Sequence, residues 1–193
     1  MARELVWTGF VSVDGVMDSP GGEAEGHPAG GWVFRTPFEP AAFALKGEEL
    51  ADTTALLFGR RSYEAFAPVW SRSPDHASYQ DFPKYVVSST LDEAALTPGW
   101  GDTTILRSVD DVAALKETDG GAIFVHGSGE LARGLADAGL VDRYNLLVFP
   151  LMLGEGKSPF SRTAQAEQRL VLRESESYGN GVVKAVYVVE RPA

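Results

Sequence analysis

The chain has 193 residues, a formal net charge of −10 and no cysteine. This length is typical of a single domain, which we expect to span residues 1–193, and its 44% hydrophobic residues suffice for a substantial core. The missing cysteines exclude disulfides and thiolate metal sites. The net negative charge argues against nucleic acid as a partner, because binding to phosphate backbones requires a basic face.

The N-terminus passes directly from Met1-Ala2-Arg3-Glu4 into a strand-like segment with Thr8, Gly9 and Ser12. It shows neither the features of a signal peptide nor an apolar stretch long enough to cross a bilayer. We therefore expect a cytoplasmic protein without a membrane partner.

Short apolar and β-branched runs predict strands, and between the earlier runs lie segments with helical periodicity. The predicted strands cover 5–13, 55–58, 85–87, 103–106, 122–125, 144–149, 170–172 and 182–189. The predicted helices cover 41–51, 62–67 (ended by Pro68), 110–117 and 130–138. Ser108 and Asp111 match a capping box at the start of the third helix.

Alternating strands and helices indicate an α/β fold with a largely parallel sheet covered on both faces. The end of the chain differs, because segments 170–176 and 182–189 flank a Gly-rich turn with no helix between them. This pattern predicts an antiparallel C-terminal hairpin, and hence a mixed sheet.

The segment 18–40 is rich in Gly and Pro and carries Trp32, Phe34 and Phe38. Two interpretations are open: a surface connection, or a lid whose aromatic rings close over a flat substrate. For the polar segment 75–81 we expect a mainly structural role.

Two strand-Gly-helix junctions are the most informative motifs of the chain. One contains Gly59-Arg60-Arg61-Ser62, and the other contains His126-Gly127-Ser128-Gly129-Glu130-Leu131. A helix N-terminus preceded by Gly favours phosphate, and arginine forks add to that preference. Two such junctions suit a dinucleotide with an additional monophosphate. Alternatively, each Gly only permits a tight turn, and Ser62 and Ser128 are only N-caps.

Other chemistries fit the sequence less well. Gly127, Gly129 and Ala132 match a Rossmann fingerprint, but no acid follows at the end of the next strand. The three histidines show no metal-ligand spacing, so we expect no metal site, and no nucleophile elbow is present. Asp14, within Ser12-Val13-Asp14-Gly15, is the candidate catalytic acid, although Asp-Gly is also a good turn.

Five motifs in order resemble those of dihydrofolate reductase-like proteins of the riboflavin biosynthesis deaminase/reductase C-terminal (reductase) domain superfamily. They are Phe10-Val11-Ser12-Val13-Asp14-Gly15-Val16, Gly59-Arg60-Arg61-Ser62-Tyr63-Glu64, Val86-Val87-Ser88-Ser89, Gly127-Ser128-Gly129-Glu130-Leu131 and Pro150-Leu151-Met152-Leu153-Gly154-Glu155-Gly156. The resemblance implies a three-layer α/β/α fold, NADPH as cofactor and a homodimer.

The resemblance also implies roles for single residues. Gly59, Arg60, Arg61 and Ser62 correspond to a group that holds the 2′-phosphate and pyrophosphate, and Ser88 and Ser89 to a pair beside the adenosine ribose phosphate. The segment Gly127 to Leu131 corresponds to the second pyrophosphate loop. Independently of the resemblance, His126 precedes a Gly at a strand end, where it either lines the cofactor pocket or is a passive cap. Gly9 and Phe10 match positions beside the nicotinamide, and Met17 and Asp18 match the loop over it.

At two positions that concern the substrate, this sequence differs from the families that it resembles. The first-helix acid of dihydrofolate reductases falls close to Phe43, and the riboflavin-pathway arginine is absent from Gly47-Glu48-Glu49-Leu50-Ala51-Asp52. We expect an NADPH-dependent reductase of a small conjugated or heteroaromatic substrate, similar to 5-amino-6-(5-phosphoribosylamino)uracil reductase or to dihydrofolate reductase. The alternatives are a non-catalytic dinucleotide-binding or regulatory protein of this fold, and a reductase that uses a flavin-type cofactor.

Overall fold

The computed structural model describes residues 2–22, 26–160 and 167–191. Its eight strands are β1 (Leu5–Ser12), β2 (Thr53–Gly59), β3 (Lys84–Val87), β4 (Thr103–Leu106), β5 (Ala122–His126), β6 (Arg143–Phe149), β7 (Leu170–Ser177) and β8 (Val183–Val189). Its four α-helices are α1 (Pro40–Asp52), α2 (Arg60–Trp70), α3 (Val109–Lys116) and α4 (Gly129–Asp137). Short 3-10 helices cover Trp32–Arg35, Pro74–Tyr79 and Glu93–Ala95.

The strands form one sheet in the order β4-β3-β2-β5-β1-β6-β8-β7. All neighbours from β4 to β6 are parallel, whereas β8 lies antiparallel between β6 and β7. The prediction of a mostly parallel sheet with an antiparallel C-terminal hairpin is therefore confirmed.

Side chains alternate between the two faces of the sheet along each strand, so apolar side chains lie on both faces. Helices cover both of these faces. On one face Leu57 and Ile123 pack in a core with residues of α3 and α4. On the other, Phe58 packs with residues of α2, and Phe149 with residues of α1. The result is the expected three-layer α/β/α fold.

Pro68 does not end the second helix, which runs from Arg60 to Trp70. The prediction over 62–67 was wrong: Pro68 removes one backbone donor, but the helix begins at Arg60 and continues for two residues beyond the proline. The last turn is also held by aromatic packing, with Trp70 stacked 4.9 Å from Phe66 and 6.1 Å from Phe58. At α3 the predicted capping box of Ser108 and Asp111 is present.

Part of the 18–40 segment is anchored in the core. Trp32 is fully buried, packs edge-on against Phe149 at 5.4 Å and donates from Nε1 to the Asp18 carbonyl at 2.7 Å. Phe34 and Phe38 are exposed. Trp32 thus stabilises the segment between β1 and α1, whereas the rings of Phe34 and Phe38 face solvent. No helix in the described part of the chain has the length and apolarity that a bilayer crossing requires.

Candidate functional site

The two strand-Gly-helix junctions lie side by side, because β2 and β5 are parallel neighbours and α2 and α4 begin at the same edge of the sheet. Ser62 and Ser128 connect them. The Gly59 amide donates to Ser128 Oγ at 2.9 Å, and the Ser128 amide donates to Ser62 Oγ at 2.8 Å. Ser128 Oγ in turn donates to the His126 carbonyl at 2.9 Å. We call Ser62 and Ser128, together with these hydrogen bonds, the serine latch. Neither serine acts as a simple side-chain N-cap of its own helix.

The backbone of the second junction is left-handed at two consecutive residues. Gly127 has a φ of 59°, and a Cβ at this position would lie 3.1 Å from both the Phe66 ring and Ser62 Oγ. Ser128 has a φ of 61°, which a residue with a side chain seldom adopts. Holding Ser128 in this conformation requires compensation, and the latch supplies it.

A cavity of about 610 Å³ opens in front of the latch, and we call it the cradle cavity. Three cations line it, each beside an acid. Lys157 Nζ lies 2.9 Å from Asp18, the Arg61 guanidinium 3.4 Å from Glu130, and the Arg60 guanidinium 3.8 Å from Glu64. The arginine pairs are exposed and hence weak, so an anion can exchange with their carboxylates at small energetic cost.

Lys157 also sets the charge state of Asp18. Burial alone would raise the pKa of this carboxyl, but the hydrogen bond and charge of the Lys157 ammonium outweigh burial and lower the pKa. Asp18 therefore remains ionised at neutral pH and keeps Lys157 at the rim of the cradle cavity.

A second cavity, of about 310 Å³, lies on the α1/α2 face, and we call it the aromatic cavity. Its walls are mostly rings from β1, α2, the 3-10 helix Pro74–Tyr79 and the end of β5. They belong to Phe10, Phe66, Trp70, His76, Tyr79 and His126. Lys46 and Asp75 also line it. Such a slot fits a flat molecule, since aromatic walls supply large contact areas.

Both histidines of the aromatic cavity are neutral. Burial, with a further contribution from the Lys46 charge, lowers the pKa of His126 to about 3. Burial also lowers the pKa of His76, which stacks on Trp70 at 4.6 Å. At neutral pH the two rings therefore act as flat polar surfaces, not as cations.

The two cavities adjoin at Met17, whose side chain lines both of them. Beneath the aromatic cavity, Gly9 leaves room for the ring of Trp7, because a Cβ at Gly9 would lie 2.6 Å from the Trp7 indole. The Trp7 Nε1 donates to the Gly127 carbonyl at 2.9 Å, which ties β1 to the second junction. One elongated ligand could therefore occupy both cavities.

The family model of the RibD C-terminal domain matches residues 3–184. The chain belongs to the RibD C-terminal domain family. It is 26% identical to the Bacillus subtilis protein YyaP over 194 residues, which covers 96% of this chain and 94% of YyaP.

Solved structures share the fold at lower identity. A structure from Shewanella sp. PV-4, named after riboflavin biosynthesis, aligns with a TM-score of 0.71 at 18% identity, covering 99% of this chain and all of the other. Dihydrofolate reductase from Enterococcus faecalis, complexed with NADP(H), aligns with a TM-score of 0.61 at 14% identity, also covering 99% and 100%. These similarities show a dihydrofolate reductase-like fold.

In this RibD C-terminal domain most of the predicted cofactor residues line the two cavities. Around the cradle cavity lie Met17, Asp18, Gly59, Arg60, Arg61, Ser62, Ser128, Gly129, Glu130 and Leu131. Around the aromatic cavity lie Gly9, Phe10, Met17, His126 and Gly127. Ser88 and Ser89 are not among the lining residues, and the buried Ser88 hydroxyl accepts from the amides of Thr90 and Leu91.

Asp14 lies outside both cavities. Its carboxylate accepts hydrogen bonds from Ser12 Oγ and from the amides of Leu153 and Gly154. The Ser12 hydrogen bond, followed by those from the two amides, lowers the pKa of this carboxyl. In this geometry Asp14 holds the loop that follows β6.

Several lining residues escaped the sequence reasoning. Thr90 accepts from Arg60 at 3.2 Å, and Lys157 faces Asp18. His76 and Tyr79 fall in the segment 75–81, for which a mainly structural role was expected. A usable signal existed at α2, where Phe66 and Trp70 are four residues apart and therefore share a helix face.

Proposed function

We propose that this RibD C-terminal domain protein is an NADPH-dependent reductase of a small flat substrate, pterin-like or riboflavin-precursor-like in its ring. The single observation that carries the proposal is the junction of the cradle cavity with the aromatic cavity at Met17. A dinucleotide is an elongated molecule with phosphates at its centre and a flat ring at its end. The cradle cavity offers phosphate-binding groups, and the adjoining aromatic cavity offers walls that suit a flat ring.

The residues present suit this cofactor. Arg60 and Arg61 would hold its 2′-phosphate, and the N-termini of α2 and α4, fixed by the serine latch, would hold its pyrophosphate. The nicotinamide would lie beside Gly9 and Phe10, with Met17 above it. NADPH supplies the hydride when bound, and the protein supplies orientation, an apolar wall and exclusion of water. Dihydrofolate reductase from E. faecalis, which shares the fold and is complexed with NADP(H), supports the choice of cofactor.

Titration of Arg60→Ala/Arg61→Ala with NADPH and with NADH tests the proposal. A hydrogen bond to a charged group contributes about 1.5–3 kcal/mol, so loss of even one weakens NADPH binding by about tenfold or more. NADH lacks the 2′-phosphate and should change little. Arg173→Ala on β7 removes the same charge from an exposed position remote from the cavities and serves as the control. Equal weakening of both nucleotides would refute the assignment of these arginines to the 2′-phosphate.

A non-catalytic dinucleotide-binding protein remains the second candidate. The observation that favours it is Phe43, which packs edge-on against Phe10 at 5.7 Å where dihydrofolate reductases are expected to place an acid. Saturable NADPH binding without oxidation across a panel of conjugated ring substrates would support this candidate over the reductase.

A homodimer and a cytoplasmic location belong to the same proposal. Support for the dimer comes from the edge strand β7, whose residues are all exposed, among them Leu170, Val171 and Leu172. A second copy of the chain would cover these apolar side chains.

A further inference from the structure

Three polar side chains form a row on the α1/α2 face of the sheet. The strand register places Thr8 of β1 directly beside His126 of β5 and Asn145 of β6. Two residues of α1, Lys46 and Glu49, lie over this row. His126 and Thr8 line the aromatic cavity, and so does Lys46, whereas Glu49 is buried behind them at 3% exposure.

These groups form a connected hydrogen-bond network. Lys46 Nζ donates to Thr8 Oγ1 at 2.5 Å and to Glu49 Oε2 at 2.9 Å. Glu49 Oε1 accepts from Thr8 at 2.5 Å and from Asn145 Nδ2 at 2.9 Å. An ammonium has three N–H donors, and the described residues accept from two of them. Since Lys46 lines the aromatic cavity, the third can be used by a group that binds there.

The Lys46 ammonium also lies 5.3 Å from the centroid of the Phe10 ring, on the wall of the cavity. Its position is therefore fixed from three sides. A donor that is already oriented loses little conformational entropy when it binds a ligand oxygen, which strengthens the contact.

The charge around this donor decides which oxygen it suits. Burial raises the pKa of Glu49, but the Lys46 charge and the Thr8 hydrogen bond outweigh burial and lower it, so Glu49 is ionised and neutralises Lys46. The carboxylate of Asp75 also lines the cavity, and His76 and His126 are neutral. The cavity thus offers a strong hydrogen-bond donor without net positive charge. Such a site disfavours carboxylate and phosphate groups.

We infer that the aromatic cavity selects a neutral, phosphate-free flat ring that carries a carbonyl oxygen, with Lys46 donating to that oxygen. Glu49 is a positioning residue that orients Lys46 and cancels its charge. This inference rests on the proposed function, since it names the substrate class of the same site: the substrate ring would share the aromatic cavity with the nicotinamide, which the proposed function places beside Gly9 and Phe10.

The test uses two flat probes of similar size, 2-acetylnaphthalene, which is neutral, and 2-naphthoate, which is an anion. Each is titrated into ¹⁵N-labelled protein without nucleotide, and its Kd is read from the indole N–H signal of Trp70, identified with Trp70→Phe. The wild type should bind the ketone more tightly than the carboxylate. Lys46→Met should weaken ketone binding by about tenfold, the effect of losing one hydrogen bond from a charged donor. Arg173→Met, which removes an exposed cation of β7 that lines neither cavity, is the control and should leave both Kd values unchanged.

Glu49→Gln gives a result that a purely structural role would not produce. It removes the carboxylate partner of Lys46, so 2-naphthoate should bind about tenfold more tightly while the ketone changes little, and the ratio of the two Kd values shifts by about tenfold toward the carboxylate. Tighter binding of 2-naphthoate by the wild type would overturn the inference without any variant. An unchanged preference in a folded Glu49→Gln protein would also overturn it, as would full ketone affinity in Lys46→Met, or in Lys46→Gln if the methionine variant does not fold.

Because no nucleotide is present, these titrations are independent of the NADPH test. A protein that binds neither nucleotide but shows the expected probe preference refutes the reductase and retains the ring site. The opposite result retains the cofactor site and refutes the ring selectivity.

Discussion

Replacement of Ser128 by alanine should destabilise the protein by about 2 kcal/mol. The Ser128 hydroxyl accepts from the Gly59 amide and donates to the His126 carbonyl, both at 2.9 Å. The Gly59 amide is half-buried and the His126 carbonyl is buried, and leaving such groups unpaired costs about 1–3 kcal/mol. In a domain of this size about 1 kcal/mol shifts the melting temperature by about 2–4 °C, so Ser128→Ala should melt about 4–8 °C lower.

Ser128→Gly separates the hydroxyl from the backbone conformation. Glycine also lacks the hydroxyl, but it relieves the left-handed conformation at φ 61°, which is worth about 1 kcal/mol. The glycine variant should therefore be more stable than the alanine variant by about 1 kcal/mol. Ser89→Ala, at an exposed serine, is the control and should stay within about 0.5 kcal/mol of the wild type.

Calorimetry and urea unfolding measure these differences. If Ser128→Ala melts within 1 °C of the wild type, or above Ser128→Gly, the latch does not hold the two junctions in the way described.

Two further predictions concern charge. Glu130→Gln removes the acid paired with Arg61 and should tighten NADPH binding by roughly 0.5–1 kcal/mol. The control variant Glu176→Gln, on β7, should leave NADPH binding unchanged. Calorimetric titration of both variants with NADPH measures the difference. Burial lowers the pKa of Lys84 from 10.5 to about 8. Between pH 8 and pH 10.5 the unfolded chain therefore binds more protons than the folded one, so the free energy of unfolding increases as the pH rises. Lys84→Met should remove that gain, and parallel stability curves for the two proteins between pH 8 and 10.5 would contradict the assignment.

The elements of the fold could be predicted because each depends on local patterns: apolar runs for strands, helical periodicity, and the Ser108 capping box. The two strand-Gly-helix junctions were visible for the same reason, since Gly59 and Gly127 are adjacent to their helices in the sequence. Pro68 was misread because local rules do not include the packing of Trp70 against Phe58.

The other contacts of the site join residues that are far apart in the sequence and meet only in the folded protein. Ser62 and Ser128 are 66 residues apart and meet only because β2 and β5 are neighbours. Glu49 and Asn145 are 96 residues apart, and their contact requires α1 to lie over β6. Apart from the C-terminal hairpin of β7 and β8, this sequence contains no signal for strand order, so the latch and the Lys46 network could not be found from it.

The exposed edge strand β7 has a consequence for thermodynamics. A strand with accessible backbone groups and a row of apolar side chains is a template for pairing with another chain. If a second copy covers it, folding and association are linked by mass action, and the temperature of unfolding rises with protein concentration. The stability of this domain would then be a property of how much of it the cell makes.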